Sequence, residues 1–174
     1  GYNWLIVLGI FMVVSYVADK WARSSTSKPM QYAGLGLYIL AEAFIFLPIL
    51  FVARYYVGQH VIGTAGLVTA GLFAGLTMVV FTTKKDFSFL RGILSVGFMV
   101  AFGAIVAGIV FGFNLGLLFS FAMVGLAGGS ILYTTSAILR EYRTDQYVAA
   151  ALSLFASLML LFWYILQIFL SFDE

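Results

Sequence analysis

The segment that most constrains the fold is Tyr147–Leu170, which spans 24 residues without a charged side chain. At about 1.5 Å per residue, a helix of this length crosses a hydrocarbon core of about 30 Å. Small and polar residues recur along it at steps of three and four and therefore share one helical face. The sequence predicts a transmembrane helix whose polar stripe faces other helices, the alternative being a peripheral helix with incidental small residues. The stripe comprises Ala149, Ser153, Ala156, Ser157, Leu160, Tyr164 and Gln167.

The composition supports a membrane location for the whole chain. Of its 174 residues, 63% are hydrophobic and 9% are charged, whereas a soluble domain carries about 25% charged residues. The chain has no cysteine and a single histidine, which excludes disulfides, thiol catalysis and Cys-ligated or His-rich metal sites. No basic run indicates nucleic acid, no cofactor is expected, and no nucleophile–base pair, phosphate loop or zinc spacing indicates an enzyme.

Six hydrophobic spans predict an all-α, polytopic helix bundle that forms a single transmembrane domain over residues 1–174. Small residues four positions apart, as in Gly71–Gly75, Gly108–Gly112 and Gly125–Gly129, predict helix–helix contacts, since they let backbones approach closely. The spans are approximately Trp4–Ala18, Ala33–Tyr55, Val61–Thr82, Phe89–Phe113, Leu115–Leu139 and Tyr147–Leu170.

Basic residues predict the orientation in the membrane. Only Arg54 lies in a loop on one side, whereas eight Lys and Arg residues lie in three loops on the other side, which the positive-inside rule assigns to the cytoplasm. Gly1 and Glu174 then both lie outside, and one further helix upstream would return the N-terminus to the cytoplasm. We therefore expect a seven-helix parent protein. The eight basic residues are Lys20, Arg23, Lys28, Lys84, Lys85, Arg91, Arg140 and Arg143. The expected cytoplasmic anchors are Lys84, Lys85, Asp86, Arg91, Arg140 and Arg143, and Asp86 is also the expected N-cap of the fourth helix.

Glu42 is the only acidic residue inside a predicted span. It lies about nine residues from the cytoplasmic start of its helix, or roughly 13 Å deep, and an ionisable group at such depth is a candidate functional site. Pro48 cannot donate to the carbonyl of Phe44 and is expected to kink the helix nearby. Two interpretations stay open: a proton-sensing or cation-attracting carboxyl, or a neutral carboxylic acid that hydrogen bonds to a neighbouring helix.

A second candidate site is the hydroxyl run Tyr133–Ser136 near the cytoplasmic end of the fifth span. Four consecutive hydroxyls cannot all face lipid, although Thr and Ser can bond to carbonyls of their own helix. Ser157 is predicted near the depth of Glu42, and Thr134 lies closer to the cytoplasm. The candidate interior polar site therefore comprises Glu42, Tyr133, Thr134, Ser157 and Tyr164.

Four motifs resemble those of the Bax inhibitor / YccA family of membrane proteins, in the same order and over nearly the whole chain. In that family the last of seven helices is surrounded by the others, which agrees with the polar stripe and the expected additional helix. The motifs are Leu47-Pro48-Ile49, Lys84-Lys85-Asp86-Phe87-Ser88-Phe89-Leu90, Ile131-Leu132-Tyr133-Thr134-Thr135-Ser136 and Ala151-Leu152-Ser153-Leu154-Phe155.

The resemblance implies two kinds of function. Some family members are pH-sensitive calcium leak channels closed by a pair of acids on the sixth and seventh helices, and YccA-like members modulate the membrane-anchored protease FtsH. Here Thr134 stands where the first of those acids is expected, and the second falls at or beside Ser157. Glu42 offers a lone carboxyl, whereas calcium takes about 6–8 oxygen ligands, so calcium gating by the acid pair is not carried over.

The favoured hypothesis is a non-enzymatic, YccA-like modulator or accessory subunit in the bacterial inner membrane, with membrane lipid and an FtsH-like protease or larger membrane complex as partners. The alternative is a calcium, cation or proton leak pathway that uses Glu42. A secondary transporter is disfavoured because only one proline-kinked helix is apparent.

Overall fold

The computed structural model describes residues 2–23, 28–83, 86–87, 89–112, 116–140 and 147–172. Within these residues the chain forms α-helices and one π-helical turn, and six helices are long and apolar enough to cross a membrane. The predicted helical membrane bundle is confirmed, and the first helix continues four residues beyond the predicted span. The helices are α1 (Tyr2–Ala22), α2 (Lys28–Val52), α3 (Gln59–Thr83), α4 (Leu90–Phe111), α5 (Gly116–Arg140) and α6 (Tyr147–Phe172).

The helix α6 occupies the centre of the bundle. It packs against α5, α3, α2 and α1, and 44% of its span is buried, compared with 11–22% for each of the other helices. Leu161 and Leu166 are almost fully buried, and the ring of Phe46 stacks on that of Phe162 at 5.7 Å. The polar stripe also faces inward, since Ser157 is 6% exposed. This confirms the central position predicted from the sequence.

The two ends of the bundle differ in their packing. We call the end where α1, α3 and α5 finish and α2, α4 and α6 begin the Lys28 end, and the opposite end the Arg54 end. At the Lys28 end, small side chains let α1, α2 and α6 meet closely. The cluster that fills this region contains Ala18, Ala22, Tyr38, Val148 and Leu152, all buried.

The connection between α3 and α4 is tied to α5 at the Lys28 end. The backbone N–H of Phe87 donates to Oγ of Ser136 at 3.1 Å, and the Phe87 ring is buried. The expectation for Asp86 is wrong, because Phe89 is the N-cap residue of α4 and provides no side-chain hydrogen bond. Asp86 instead lies exposed, three residues before the cap.

Only part of the predicted basic anchor falls within the described residues. Arg91 is exposed in the first turn of α4, and Arg140 is the last residue of α5. Lys84, Lys85 and Arg143 lie outside the described residues.

Pro48 lies inside α2, which continues to Val52 and then passes into a π-helical turn at Ala53–Val57. The N–H of Gly58 closes this turn by donating to the carbonyl of Ala53 at 2.8 Å. Gly58 has a φ of 137°, which residues with a Cβ rarely adopt. The sequence predicted an irregularity caused by Pro48 but not the π-helical turn that follows it.

The predicted helix contacts of the glycine pairs are found only in part. Cβ atoms built at Gly71 and Gly75 would meet nothing within 4 Å among the described atoms, so the predicted contact of this pair is wrong within the chain. Gly108 is buried, and a Cβ at Gly129 would lie 3.2 Å from Leu94. The closest helix contact instead involves Gly34, where a Cβ would strike the carbonyl oxygen of Ala18 and lie 2.6 Å from the nitrogen of Ala22.

Replacing Gly34 with Ala is therefore expected to destabilise the protein by about 1–3 kcal/mol, because two helix backbones would have to separate. Gly36 is the matched control on the same helix, since its Cβ would meet nothing within 4 Å. Gly36→Ala should be neutral or stabilising by up to about 1 kcal/mol. Denaturant titration in micelles measures both, and equal stabilities would contradict the proposed close contact of α1 and α2.

Candidate functional site

A cavity of about 1120 Å³ lies between α6 and the helices α1, α2, α4 and α5. Its lining residues extend from the middle of the bundle toward the Arg54 end, where α4 finishes and α5 begins. At the Lys28 end, the packed cluster around Ala18 and Leu152 lies beyond it. Most of the lining is apolar. The polar residues that contribute are Tyr38, Glu42, Ser120, Ser130, Ser157, Tyr164 and Gln167.

Glu42 lies on the wall of this cavity contributed by α2 and is only 8% exposed. The hydroxyl of Tyr38 donates to its Oε1 at 2.8 Å. Tyr38 precedes Glu42 by one helical turn, so the two side chains share a face. The Tyr38 ring is held by Phe11 of α1 and Phe155 of α6, with ring centroids 6.1 and 6.0 Å away. Three helices therefore fix the position of one buried carboxyl.

Ser157 lies on the α6 wall, where its hydroxyl is 2.8 Å from that of Ser130 on α5. Ser130 lies one turn before Thr134, the α5 hydroxyl that was predicted to lie closer to the cytoplasm than Ser157. Glu42 and Ser157 line the same cavity, yet their hydrogen bonds go to Tyr38 and Ser130. The structure thus places these two predicted residues in one site without joining them directly.

Tyr164 completes the group of predicted residues that line the cavity. It is 7% exposed, and its ring packs edge-on against Phe119 of α5 at 5.9 Å. Because α6 carries both Ser157 and Tyr164, about two turns of this helix form the floor of the site.

The other two predicted residues lie elsewhere. Tyr133 and Thr134 are half-buried on α5 and are not among the residues that line the cavity. The hydroxyl run nevertheless matters for packing, since Thr135 and Ser136 are buried and Ser136 holds the backbone of Phe87. Among the described residues, Oγ1 of Thr135 has no hydrogen-bond partner.

Sequence reasoning missed Tyr38 and Ser130, the two residues that hydrogen bond to predicted site residues. A signal was present for Tyr38, which precedes Glu42 by four residues, the spacing of neighbours on a helix surface. Ser130 likewise precedes Thr134 by four residues and follows Gly128 and Gly129. Which of two hydroxyls on one α5 face meets α6 depends on helix register, which no local pattern encodes.

The charge of the site is unusual for its depth. Among the described residues, those that line it include one carboxyl and no Lys, Arg or His. A buried carboxylate without a positive partner is costly, so Glu42 is neutralised either by a proton or by a cation that enters the cavity. Within the described part of the chain, no group of three acidic or His side chains is placed to hold a metal ion.

Comparison with known proteins places these observations in a family. Residues 2–174 match the family described as "Inhibitor of apoptosis-promoting Bax1". The chain is 34% identical over 160 residues to an uncharacterized Pseudomonas aeruginosa protein, covering 91% of this chain and 68% of that protein. It is 29% identical over 170 residues to Bax inhibitor 1 of Schizosaccharomyces pombe, covering 95% and 61% of the two chains.

A further relative carries a functional name. The chain is 37% identical over 101 residues to the modulator of FtsH protease YccA of Escherichia coli, a match that covers 58% of this chain and 46% of that protein. No solved structure matches the chain.

The hydrogen bond between Ser130 and Ser157 is testable by a double-mutant cycle. With Ser130→Ala and Ser157→Ala, we expect a coupling free energy of about 0.5–1.7 kcal/mol, as for interhelical hydrogen bonds in membranes. Stability in micelles is the measurement. Ser95 is exposed on α4, so Ser95→Ala combined with Ser157→Ala should be additive. A Ser130–Ser157 coupling close to zero would show that α5 and α6 do not meet in this register.

Proposed function

The chain belongs to the Bax inhibitor family, and on that premise we propose that it is a non-enzymatic modulator of a larger membrane complex of the FtsH-protease type. The observation that carries this proposal is the similarity to YccA, which is named a modulator of that protease. The structure agrees in one respect: its central helix is committed to internal packing, so a partner would bind to the peripheral helices.

The bacterial inner membrane is the proposed location, by the similarity to the inner membrane protein YccA. We propose that the Lys28 end faces the cytoplasm, as the distribution of Lys and Arg predicts.

One lateral surface is suited to contact another membrane helix. We define the α3 glycine face as Gly63, Gly71, Ala74 and Gly75, all of them exposed. Leu67 and Met78 lie on the same side of α3 and are 77% and 61% exposed. Small residues flanked by larger ones let a second helix approach closely where lipid supplies no hydrophobic drive. The relation to YccA supplies the kind of partner, namely a membrane-anchored protease.

Co-purification with co-expressed FtsH tests the proposal. We expect the tagged protein to retain FtsH through membrane solubilisation, and the double variant Gly71→Leu/Gly75→Leu to lower recovery at least fivefold by filling the α3 glycine face. Gly9→Leu on α1 is the matched control, because Gly9 is also exposed with open space around it but has Leu5 and Val13 one turn away. Recovery of FtsH no greater than with an unrelated membrane protein would contradict the modulator function.

A second candidate is a cation or proton leak through the cavity, favoured by the position of Glu42 on its wall. Thr134 and Ser157 replace the acid pair of the leak-forming members, so Glu42 would be the principal acidic group. The packed Lys28 end closes this conformation, and conduction would require the cluster around Ala18, Val148 and Leu152 to open.

The leak hypothesis predicts proton or calcium flux in liposomes that falls to background with Glu42→Gln, since the amide keeps the shape of the side chain but cannot ionise. Fluorescent indicators inside the vesicles measure the flux. Flux that is the same for the original protein and Glu42→Gln would eliminate this candidate without affecting the modulator hypothesis.

A further inference from the structure

The cavity beside α6 has the size of a ligand site. Its volume of about 1120 Å³ slightly exceeds the range of about 300–1,000 Å³ that is usual for small-molecule pockets. Residues of five helices line it, and the packed cluster around Ala18 and Leu152 lies toward the Lys28 end. A space of this size accommodates an organic molecule far larger than a hydrated metal ion.

The charge within the cavity selects for a cation. Glu42 is more than nine-tenths buried, and among the described residues that line the cavity no other side chain is a Lys, Arg, His, Asp or Glu. The other titratable groups that face the cavity, Tyr38 and Tyr164, are neutral phenols. Toward the Lys28 end, Arg23 is paired with Asp19 at 3.1 Å, and neither residue lines the cavity. Tyr38 occupies one oxygen of the carboxyl, and the other is left to an incoming group.

The walls select for an apolar cation rather than a hydrated one. Aromatic rings from five helices line the cavity, and their faces attract a desolvated positive charge. Phe46 and Trp163 meet edge-on at 5.1 Å, which fixes two of these rings in place. A bare inorganic ion would find one carboxyl and a few hydroxyls, too few oxygens to replace its hydration shell. The rings belong to Phe11, Tyr38, Phe46, Phe98, Phe102, Phe119, Trp163 and Tyr164.

We propose that this cavity is a binding site for an apolar organic monocation, such as a hydrophobic ammonium compound, with the Glu42 carboxylate as its counter-ion and the aromatic walls as its enclosure. The ligand reaches the site from the Arg54 half of the bundle, since the opposite end is packed. The inference is independent of the modulator function. It uses the same carboxyl as the leak candidate but requires binding without transport.

Tetraphenylphosphonium is the probe of choice, because tetraphenylborate has nearly the same size and shape with the opposite charge. Equilibrium binding of radiolabelled tetraphenylphosphonium to the purified protein in micelles should be saturable. Glu42→Gln, which preserves an acceptor for Tyr38, should weaken binding at least tenfold, and Glu42→Asp should retain more affinity than Glu42→Gln. Asp86→Asn removes an exposed carboxyl outside the cavity and should bind within twofold of the original protein.

A steric variant gives a separate reading of the same site. Ile105 lines the cavity from α4, so Ile105→Trp should reduce binding by occupying the space while leaving Glu42 unchanged. If Glu42→Gln fails to fold, Ile105→Trp and Glu42→Asp test the proposed binding site in its place.

Three results would overturn the proposal. Binding to Glu42→Gln equal to that of the original protein would exclude the carboxylate as counter-ion. Competition by tetraphenylborate as effective as by unlabelled tetraphenylphosphonium would show that only apolar bulk is recognised. Displacement of the probe by millimolar Ca²⁺ would identify an inorganic cation instead. Saturable binding with no flux in liposomes would support this site and remove the leak candidate.

Discussion

The structure depends on one constraint: inside a bilayer, helices gain no hydrophobic free energy by leaving lipid for one another. Their association must come from close packing and from interhelical hydrogen bonds. The bundle meets this demand around α6, where Gly34 lets α1 touch α2, Ser130 meets Ser157, and Phe46 stacks on Phe162. The polar stripe of α6 therefore contributes to packing whatever its function, because its buried hydroxyls need hydrogen-bond partners that only the neighbouring helices provide.

The spans and the central position of the last helix were predictable from sequence because both follow from length and periodicity. A charge-free segment of bilayer length has few alternatives, and an inward face requires polar residues at helical spacing. The predictions that failed concern contacts. Gly71 and Gly75 have the spacing of a helix–helix interface, yet they face open space. The same spacing suits contact with a helix of this chain and contact with a helix of another protein, so it does not distinguish the two. Asp86 resembles an N-cap, but α4 starts at Leu90, and the backbone just before it hydrogen bonds to Ser136, a tertiary contact that no local pattern encodes.

In the candidate site, too, the depth of residues was predictable from the sequence and their individual contacts were not. Depth along the chain predicted that Glu42 and Ser157 share a level in the membrane, and both line one cavity. Neither the Tyr38 hydroxyl on Glu42 nor the choice of Ser130 over Thr134 follows from depth, because rotation of a helix about its axis is set by its neighbours. The cavity itself could not be predicted, since a void arises where helices diverge and no residue pattern marks divergence.

The hydrogen bond between Phe87 and Ser136 bears on the position of α4, the helix that forms one wall of the cavity. It ties the segment that leads into α4 to α5 at the Lys28 end, and Leu94 of α4 packs closely on Gly129 of α5. Farther along, α4 borders the void, and only 11% of its span is buried. Ala101 and Gly108 are nevertheless buried farther along the same helix, and Ala101 packs in one cluster with Met123 and Tyr164. Contacts at several levels therefore hold this wall of the void in place, although most of the helix surface is exposed.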